Sequence, residues 1–240
     1  MAIAKRSAHG SSTRPAVPEA IVREAIRLFG EHSYPVVGMR DLSKAVGLQP
    51  GSLYAHIRSK EELLLAIVEE GITNYIDAIS EAIDTDEPAD IKLRAAIRAH
   101  MRVLAETVEQ TKVTFNQWRY LGPDGQARAL ALRQEYEDLF LGVAQQGIKD
   151  GVLRPVPHLK AALLSIIGGL NFAAEWYNPA KPETPEGLAD AVADLLLEGL
   201  ATNRTSRSSA ARAKTSANGR TKATKDPAPP ADQAASRRRR

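Results

Sequence analysis

The chain has 240 residues, a formal net charge of +3 and no cysteine, which excludes disulfides and thiolate metal sites. Its charge is unevenly distributed: residues 1–60 carry 9 Lys+Arg against 4 Asp+Glu (net +5), residues 61–202 carry 12 against 23 (net −11), and residues 203–240 carry 11 against 2 (net +9). A basic segment suits a polyanion and an acidic one does not, so phosphate contacts are expected only near the amino terminus and in the tail.

Two stretches bear on whether the protein enters a membrane. Residues 1–15 are rich in Ser, Arg and Lys and lack the apolar run of a secretory signal, so residues 1–14 are interpreted as a flexible basic arm. The longest apolar stretch, residues 161–174, contains Ser165 and Asn171 and is too short to span a bilayer. We therefore expect a cytoplasmic protein with no membrane partner.

Residues 38–48 have the pattern of a short helix that ends at a glycine. Leu42, Ala45 and Val46 give this helix an apolar face at a spacing of three and four residues. Gly47 ends it, because glycine adopts the left-handed backbone conformation at little steric cost.

A second short helix and the start of a third follow directly. Pro50 suits the first position of a helix, where its missing N–H would have had no partner, and Leu53 is spaced to face inward. The Ser59 hydroxyl and the Glu62 carboxylate can each accept an otherwise unpaired backbone N–H, which is the capping-box arrangement. A third helix is therefore predicted to begin at Lys60. This order of helices is the one that a protein needs in order to present one helix to the major groove of DNA.

Four segments within this stretch lie in a fixed order without a gap: Arg40-Asp41-Leu42-Ser43, Ala45-Val46-Gly47, Gly51-Ser52-Leu53-Tyr54-Ala55-His56 and Ser59-Lys60-Glu61-Glu62-Leu63. Together they resemble the DNA-binding domain of TetR-family transcriptional regulators, and the resemblance covers roughly residues 15–75. It implies a helix-turn-helix domain over residues 15–60 and a ligand-responsive regulator. Such a regulator is most often a repressor that binds a palindromic operator as a homodimer. The alternative is a helical hairpin inside an all-α protein that does not bind DNA.

The family comparison places one face of the second short helix in the groove. The residues on or beside that face are Gln49, Pro50, Gly51, Ser52 and Ala55. Gln49 and Ser52 can hydrogen-bond base edges, whereas Pro50 and Ala55 can contact a thymine methyl group.

Four further residues are predicted phosphate contacts: Arg40, Tyr54, His56 and Lys60. Lys60 stands at a helix start, where the helix dipole also favours an anion. For Tyr54 the alternative is packing in the core. For His56 it is a solvent-facing position without a role.

Residues 61–202 have helical spacing of apolar residues throughout and no alternating strand pattern of useful length. The predicted fold class is therefore all-α, with an amino-terminal three-helix domain and a larger helical domain for ligand sensing and dimerisation. A break is predicted over residues 122–125. The helix predicted to begin at Lys60 continues into the second domain as a connecting helix, and the helices predicted after it span residues 91–120, 126–149, 158–177 and 186–200.

The last two predicted helices are candidates for a dimer interface. The helix over residues 158–177 is apolar on most sides and must be covered on most sides. In the TetR family the last two long helices form a four-helix interface with their copies in a second subunit. The predicted interface residues are Leu163, Ile166, Ile167, Leu170, Val192, Leu195 and Leu196. The alternative is that these helices cover only the core of their own subunit.

Most aromatic residues lie in the second domain, which suggests an apolar or amphipathic ligand. The predicted ligand-binding residues are Phe115, Trp118, Arg119, Phe140, Phe172 and Trp176. Residues 115–121, 146–151 and 175–179 resemble the sensor domains of TetR members that respond to acyl-CoA thioesters. The cations available for CoA phosphates are Arg119, Arg128 and Arg133. For each aromatic residue the alternative is ordinary core packing.

Two other function classes remain as alternatives. Residues 203–240 are rich in Ser, Ala, Thr, Arg, Lys and Pro, contain no aromatic residue and are predicted to be a disordered basic tail. This tail raises the alternative of a general nucleoid-type DNA-binding protein, or it is only a solubilising appendage. An enzyme is the other class. It is disfavoured because the five histidines are scattered and no phosphate-binding glycine loop or cysteine nucleophile is present, and no cofactor or metal is expected.

Overall fold

The computed structural model of the chain describes residues 17–200, so the arm predicted over residues 1–14 and the tail predicted over residues 203–240 lie outside the described residues. Between residues 17 and 200 the structure is helical and contains no β-strand. The all-α prediction is confirmed. The α-helices are α1 (Glu19–His32), α2 (Met39–Ala45), α3 (Pro50–His56), α4 (Lys60–Ile83), α5 (Ala89–Glu106), α6 (Val108–Asn116), α7 (Pro123–Lys149), α8 (Leu159–Phe172) and α9 (Pro185–Leu200).

Helices α1, α2 and α3 form the amino-terminal unit. Phe29 of α1, Leu42 of α2 and Leu53 of α3 are completely buried and meet at its centre. Ile57, which directly follows α3, is buried there as well. Each of these short helices therefore depends on a few large apolar side chains for its position.

Helix α4 is the central element of the remaining part of the structure, α4 to α9, which we call the body. It buries one continuous stripe and packs against α5, α6 and α7. Gly71 lies where α4 and α6 approach each other, and a Cβ atom there would overlap the Thr114 side chain. The first buried residues of α4, Leu63 and Leu64, belong to the same apolar cluster as Phe29, so the core continues from the amino-terminal unit into the body.

Two predicted helix boundaries in the body were wrong. The helix predicted over residues 91–120 is interrupted at Thr107, whose hydroxyl donates to the Val103 carbonyl at 2.7 Å. After α6 the chain forms a short 3₁₀ turn, Trp118–Tyr120. The predicted break at residues 122–125 is also misplaced, because Pro123 begins α7 and Gly125 is already inside it.

Helix α9 packs on α5, and ion pairs line one side of that contact. Arg98 Nε lies 2.7 Å from the Asp190 carboxylate, and Arg94 Nη2 lies 2.5 Å from that of Asp194. The side chains of these pairs are partly exposed to solvent, so their net contribution to stability is small. Among the helices between residues 17 and 200, none has the length and apolar character that a bilayer crossing requires.

Candidate DNA-binding interface and sensor interior

The turn between α2 and α3 has the geometry that the sequence predicts. Gly47 has a φ angle of 69°, in the left-handed region, and the Leu48 N–H donates to the Ser43 carbonyl at 2.9 Å across the turn. Pro50 is the first residue of α3. Because Leu53 is fully buried below α3, the opposite face of this helix is held outward.

That outward face carries the predicted base contacts and two of the predicted phosphate contacts. The exposed residues on and beside α3 are Gln49, Pro50, Gly51, Ser52, Tyr54, Ala55 and His56. Arg40, in the first turn of α2, is exposed as well. The Tyr54 side chain is 51% exposed, so the alternative of core packing does not describe it.

Lys60 does not have the free side chain that a predicted phosphate contact requires. Its Nζ donates to the backbone carbonyls of Tyr34 and Val37, at 2.8 Å each. It also lies 4.1 Å from the centre of the Tyr34 ring. Burial lowers the pKa of Lys60. Since two of its three N–H donors hold the loop between α1 and α2, we revise the interpretation of Lys60 to a residue that positions this loop.

The start of α4 confirms half of the predicted capping box. The Ser59 hydroxyl accepts the Glu62 N–H at 3.0 Å, and α4 begins at Lys60. The Glu62 carboxylate, however, accepts the N–H of Arg58 at 2.9 Å instead of that of Ser59. The cap therefore also fixes the backbone of Arg58, which lies in the connection between α3 and α4.

Residues 117–122, which we call the bridging segment, join the body to the amino-terminal unit. Gln117 is buried, its Nε2 donates to the Phe29 carbonyl at 2.5 Å, and its Oε1 accepts the Tyr34 N–H at 2.6 Å. The Tyr120 ring stacks on the Tyr34 ring with centroids 6.0 Å apart. One side chain of the body thus satisfies two backbone groups at the carboxyl end of α1, and sequence reasoning did not identify it.

The interior of the body contains a hydrogen-bonded polar cluster. The Tyr136 hydroxyl shares a hydrogen bond of 3.0 Å with His100 Nδ1 and donates to the Asn171 side-chain oxygen at 3.2 Å. The Tyr75 hydroxyl lies 2.8 Å from the Thr111 hydroxyl. Burial lowers the pKa of His100 to about 3, and the Leu170 carbonyl partly offsets this fall. His100 is therefore neutral at physiological pH.

Three of the predicted ligand-binding residues lie together beside this cluster. The Phe115 ring contacts the Tyr136 ring at a centroid distance of 5.9 Å. Arg133 lies over both the Phe115 and the Trp118 rings, at 5.5 Å from each centroid, and Arg119 lies 5.7 Å from the Trp118 ring. The structure thus brings Phe115, Trp118 and Arg119 to one place, with Arg133 between the rings.

The other three predicted ligand-binding residues are dispersed. Phe140 is buried against Tyr136, with ring centroids 5.8 Å apart. Phe172 is 63% exposed at the end of α8 and does not reach the interior. Trp176 is 52% exposed and borders an open groove of about 770 Å³ between α1 and the junction of α5 with α6. The sequence could not separate these positions, because aromatic residues at helical spacing fit a core, a groove or an outer surface equally well.

Two family models match the chain over most of the described residues. The model of bacterial regulatory proteins of the tetR family matches residues 21–67, which include α2 and α3. The model of the tetracyclin repressor-like C-terminal domain matches residues 86–200. The chain belongs to the TetR family of transcriptional regulators. Operator DNA binding is typical of this family, and its members are regulators instead of enzymes.

Relatives of the TetR family align over about three quarters of the chain. The transcriptional repressor KstR2 of Rhodococcus jostii RHA1 is 26% identical over 186 residues, which are 74% of this chain and 87% of KstR2. The crystal structure of PfmR from Thermus thermophilus superposes with a TM-score of 0.69 at 29% identity and covers 75% of this chain and 98% of PfmR. The structure of AibR in complex with isovaleryl coenzyme A and operator DNA has a TM-score of 0.67 at 23% identity. It covers 73% of this chain and 95% of AibR, and it shows that the two proteins share the fold.

The predicted interface residues on α8 and α9 lie on two different faces of these helices. Leu163, Ile167, Leu170 and Leu196 are 2–6% exposed and pack inside their own subunit, so a second subunit could gain little contact from them. Ile166 and Val192 are half-buried. Leu195 is 69% exposed. The exposed large apolar side chains on the described part of these two helices are Leu164, Phe172 and Leu195.

The outer face of α8 also lacks bulky side chains at its middle. A Cβ atom at Gly168 or Gly169 would meet nothing within 4 Å, and Ser165 and Ala161 are exposed one and two turns earlier. A helix with this face can be approached closely by another helix. Among the residues that the structure describes, no group of three or more His, Cys, Asp or Glu side chains is placed to hold a metal ion.

Proposed function

We propose that the chain is a transcriptional repressor that binds a palindromic operator as a homodimer and is released by an amphipathic effector of the acyl-CoA class. The outward face of α3 carries this proposal, because all of the predicted base-contacting residues are exposed on or beside it while Leu53 anchors the helix from below. In this proposal residues 15–60 form the DNA-binding domain and residues 61–202 sense the effector and dimerise.

On α3, Gln49 and Ser52 would hydrogen-bond base edges, and Pro50 and Ala55 would contact thymine methyl groups. Gly51 would allow the backbone to approach the DNA closely. The proposed phosphate contacts are Arg40, Tyr54 and His56, all of which are exposed.

A dimer is proposed because one short helix contacts too few base pairs for operator specificity. Two copies of α3 about 34–36 Å apart would enter successive major grooves on one face of B-DNA. The exposed side chains of Leu164, Phe172 and Leu195 and the open glycines of α8 support the outer face of α8 and α9 as the contact between the two copies. Exposed apolar side chains beside small residues suit the close packing of a four-helix interface.

The effector class is supported by the body and by relatives. The KstR2 relative is named a transcriptional repressor, and the AibR structure contains isovaleryl coenzyme A together with operator DNA. In this chain, Phe115, Trp118, Arg119 and Arg133 place apolar rings next to guanidinium groups. An acyl thioester combines an apolar chain with anionic phosphates, so it matches both kinds of group.

The test of DNA recognition is a genome-wide footprint with the purified full-length chain. We expect protection at one or a few inverted repeats whose half-sites are about one helical turn apart. Addition of isovaleryl-CoA or decanoyl-CoA should remove this protection. Uniform protection of all sequences would instead favour a nucleoid-type protein. A chain shortened after residue 202 should protect the same sites as the full-length chain.

The test of the dimer is light scattering at micromolar concentration. The wild-type chain should show twice the 26.0 kDa mass of one chain. Leu195→Glu places a charge on the proposed interface and should yield monomers. Leu130 on α7 is 49% exposed, so Leu130→Glu is a matched control that should remain dimeric. A monomeric wild-type protein would contradict the proposal.

A further inference from the structure

Four buried side-chain polar atoms in the described part of the body have no hydrogen-bond partner: His100 Nε2, Thr114 Oγ1, Trp118 Nε1 and Arg133 Nη1. Two of these are N–H donors on neighbouring side chains. They are Arg133 Nη1 and Trp118 Nε1, and the Arg133 guanidinium lies 5.5 Å from the Trp118 ring centre. A buried N–H without an acceptor costs free energy, and more so when the donor is charged. Two such donors on side chains in contact indicate a place where an acceptor group binds.

The charges around Trp118 favour an anionic acceptor. Arg119 and Arg133 lie 5.7 and 5.5 Å from the same indole ring, so two cations lie close together. Burial lowers the pKa of Arg133, and Arg119 lowers it further, while Glu137, one turn along α7, partly offsets this. This pair of guanidinium groups lies in a segment of the chain with net charge −11 (12 Lys+Arg against 23 Asp+Glu over residues 61–202). A bound anion would relieve the repulsion between the two cations.

We infer that Arg133 and Trp118 bind the anionic group of the effector, a carboxylate or a phosphate, through Nη1 and Nε1. This inference rests on the proposed function and adds the chemistry by which the effector is recognised. A guanidinium group is suited to both anions, because its donors lie in one plane at the spacing of two carboxylate or phosphate oxygens.

The apolar part of the same effector would lie against the rings next to Arg133. Phe115 lies under the guanidinium group, and its ring contacts those of Tyr75 and Tyr136 at 5.3 and 5.9 Å. These buried rings contact one another from Phe115 towards the middle of the body. An acid with an apolar chain therefore matches the site better than a small inorganic anion does.

The inference is tested by calorimetric titration of the full-length chain with isovaleryl-CoA, decanoyl-CoA, the free acids isovalerate and decanoate, and CoA alone. Arg133→Gln should weaken binding of whichever probes bind the wild type by about 10- to 100-fold, because a hydrogen bond to a charged group is lost. Trp118→Phe keeps an aromatic ring and removes Nε1, and should weaken binding by about 3- to 10-fold. Arg102→Gln, at an exposed arginine on α5, is the matched control and should bind as the wild type does.

The probes distinguish the source of the anion. Binding of the free acids that depends on Arg133 identifies a carboxylate, and binding restricted to the thioesters or to CoA identifies a phosphate. Should Arg133→Gln fold poorly in a thermal melt, the indole N–H resonance of Trp118 gives a second readout. It should move downfield when a probe binds, because Nε1 gains an acceptor, whereas that of Trp176 should not.

Two results would overturn the inference, and they differ in their consequence for the proposed function. Equal affinity of the wild type and of a folded Arg133→Gln variant removes the role of Arg133 and leaves the effector class intact. Absence of binding by every probe overturns both this inference and the acyl-CoA effector. Neither result bears on operator recognition, which the footprint measures separately.

Discussion

The amino-terminal unit and the body obtain their polar contacts in different ways. In and directly after the amino-terminal unit most of the features that present α3 are local: Gly47 makes the turn before α3, Pro50 begins α3, and Ser59 and Glu62 accept backbone N–H groups three and four residues away. In the body, Tyr136 joins α7 to His100 on α5 and Asn171 on α8, over 36 and 35 residues of chain. The exposed face of α3 can therefore be specified by a short motif, whereas the interior of the body depends on how several helices meet.

The largest expected difference is between the effects of substitutions on the two opposite faces of α3. Leu53 is completely buried and Ser52 is exposed. Leu53→Ala should reduce the free energy of unfolding by about 2–5 kcal/mol, because it leaves a cavity. Ser52→Ala should change it by less than about 0.5 kcal/mol while altering operator preference. Urea unfolding and competition with random DNA measure the two effects. If Ser52→Ala lost equal affinity for operator and random DNA, the base-reading role would be wrong.

His100 predicts a pH dependence that originates in the body. Its pKa is lowered to about 3 from an ordinary value of 6.5, so the unfolded chain binds this proton more readily. The stability due to neutral His100 is fully present above about pH 6.5 and is lost as the pH falls towards 3, by up to about 1.4 kcal/mol per pH unit. Urea unfolding between pH 7 and pH 4 measures the slope. His100→Gln should be less stable at pH 7 and should have a flatter slope; parallel curves would contradict this origin.

Gln117 tests the contact between the two regions. Gln117→Ala removes two hydrogen bonds to backbone groups at Phe29 and Tyr34 and should cost about 1–3 kcal/mol of stability, since the Tyr34 N–H loses its partner and the Phe29 carbonyl keeps only the Ser33 N–H. The same variant should reduce the fall in operator affinity that an effector causes. The measurements are thermal unfolding and fluorescence anisotropy of labelled operator with and without effector. Gln126→Ala, in which the lost bonds lie within residues 119–126, is the control that should keep the full response.

Arg40 and Lys60 give the smallest expected effects and separate a DNA contact from a structural cation. Arg40→Ala should weaken binding to all sequences and reduce the slope of log affinity against log salt by about one unit. Lys60→Ala should leave this slope nearly unchanged and cost about 1 kcal/mol of stability, because its Nζ is held by two carbonyls. A reduced salt slope for Lys60→Ala would restore its interpretation as a phosphate contact.

The differences between prediction and structure follow the same division between local contacts and contacts made over long stretches of chain. The turn at Gly47 and the start of α4 were predicted correctly because they depend on neighbouring residues. Four interface residues were predicted on α8; the structure places those at positions 163, 167 and 170 inside and leaves Ile166 half-buried. A helix that is apolar on most sides gives no sign in its sequence of which side meets its own core. The role of Lys60 depends on carbonyls 23 and 26 residues away, which no local pattern reveals.

The sequence by itself determined the all-α class, the helix-turn-helix and the residues exposed on α3, because spacing, caps and glycine conformation act within one or two helical turns. Only the tertiary structure decided that Gln117 holds the end of α1, that Leu164, Phe172 and Leu195 form the outer face of α8 and α9, and that Arg133 and Trp118 retain free donors. Those features arise where residues far apart in the chain pack together, and packing is set by the shape and burial of all the helices at once.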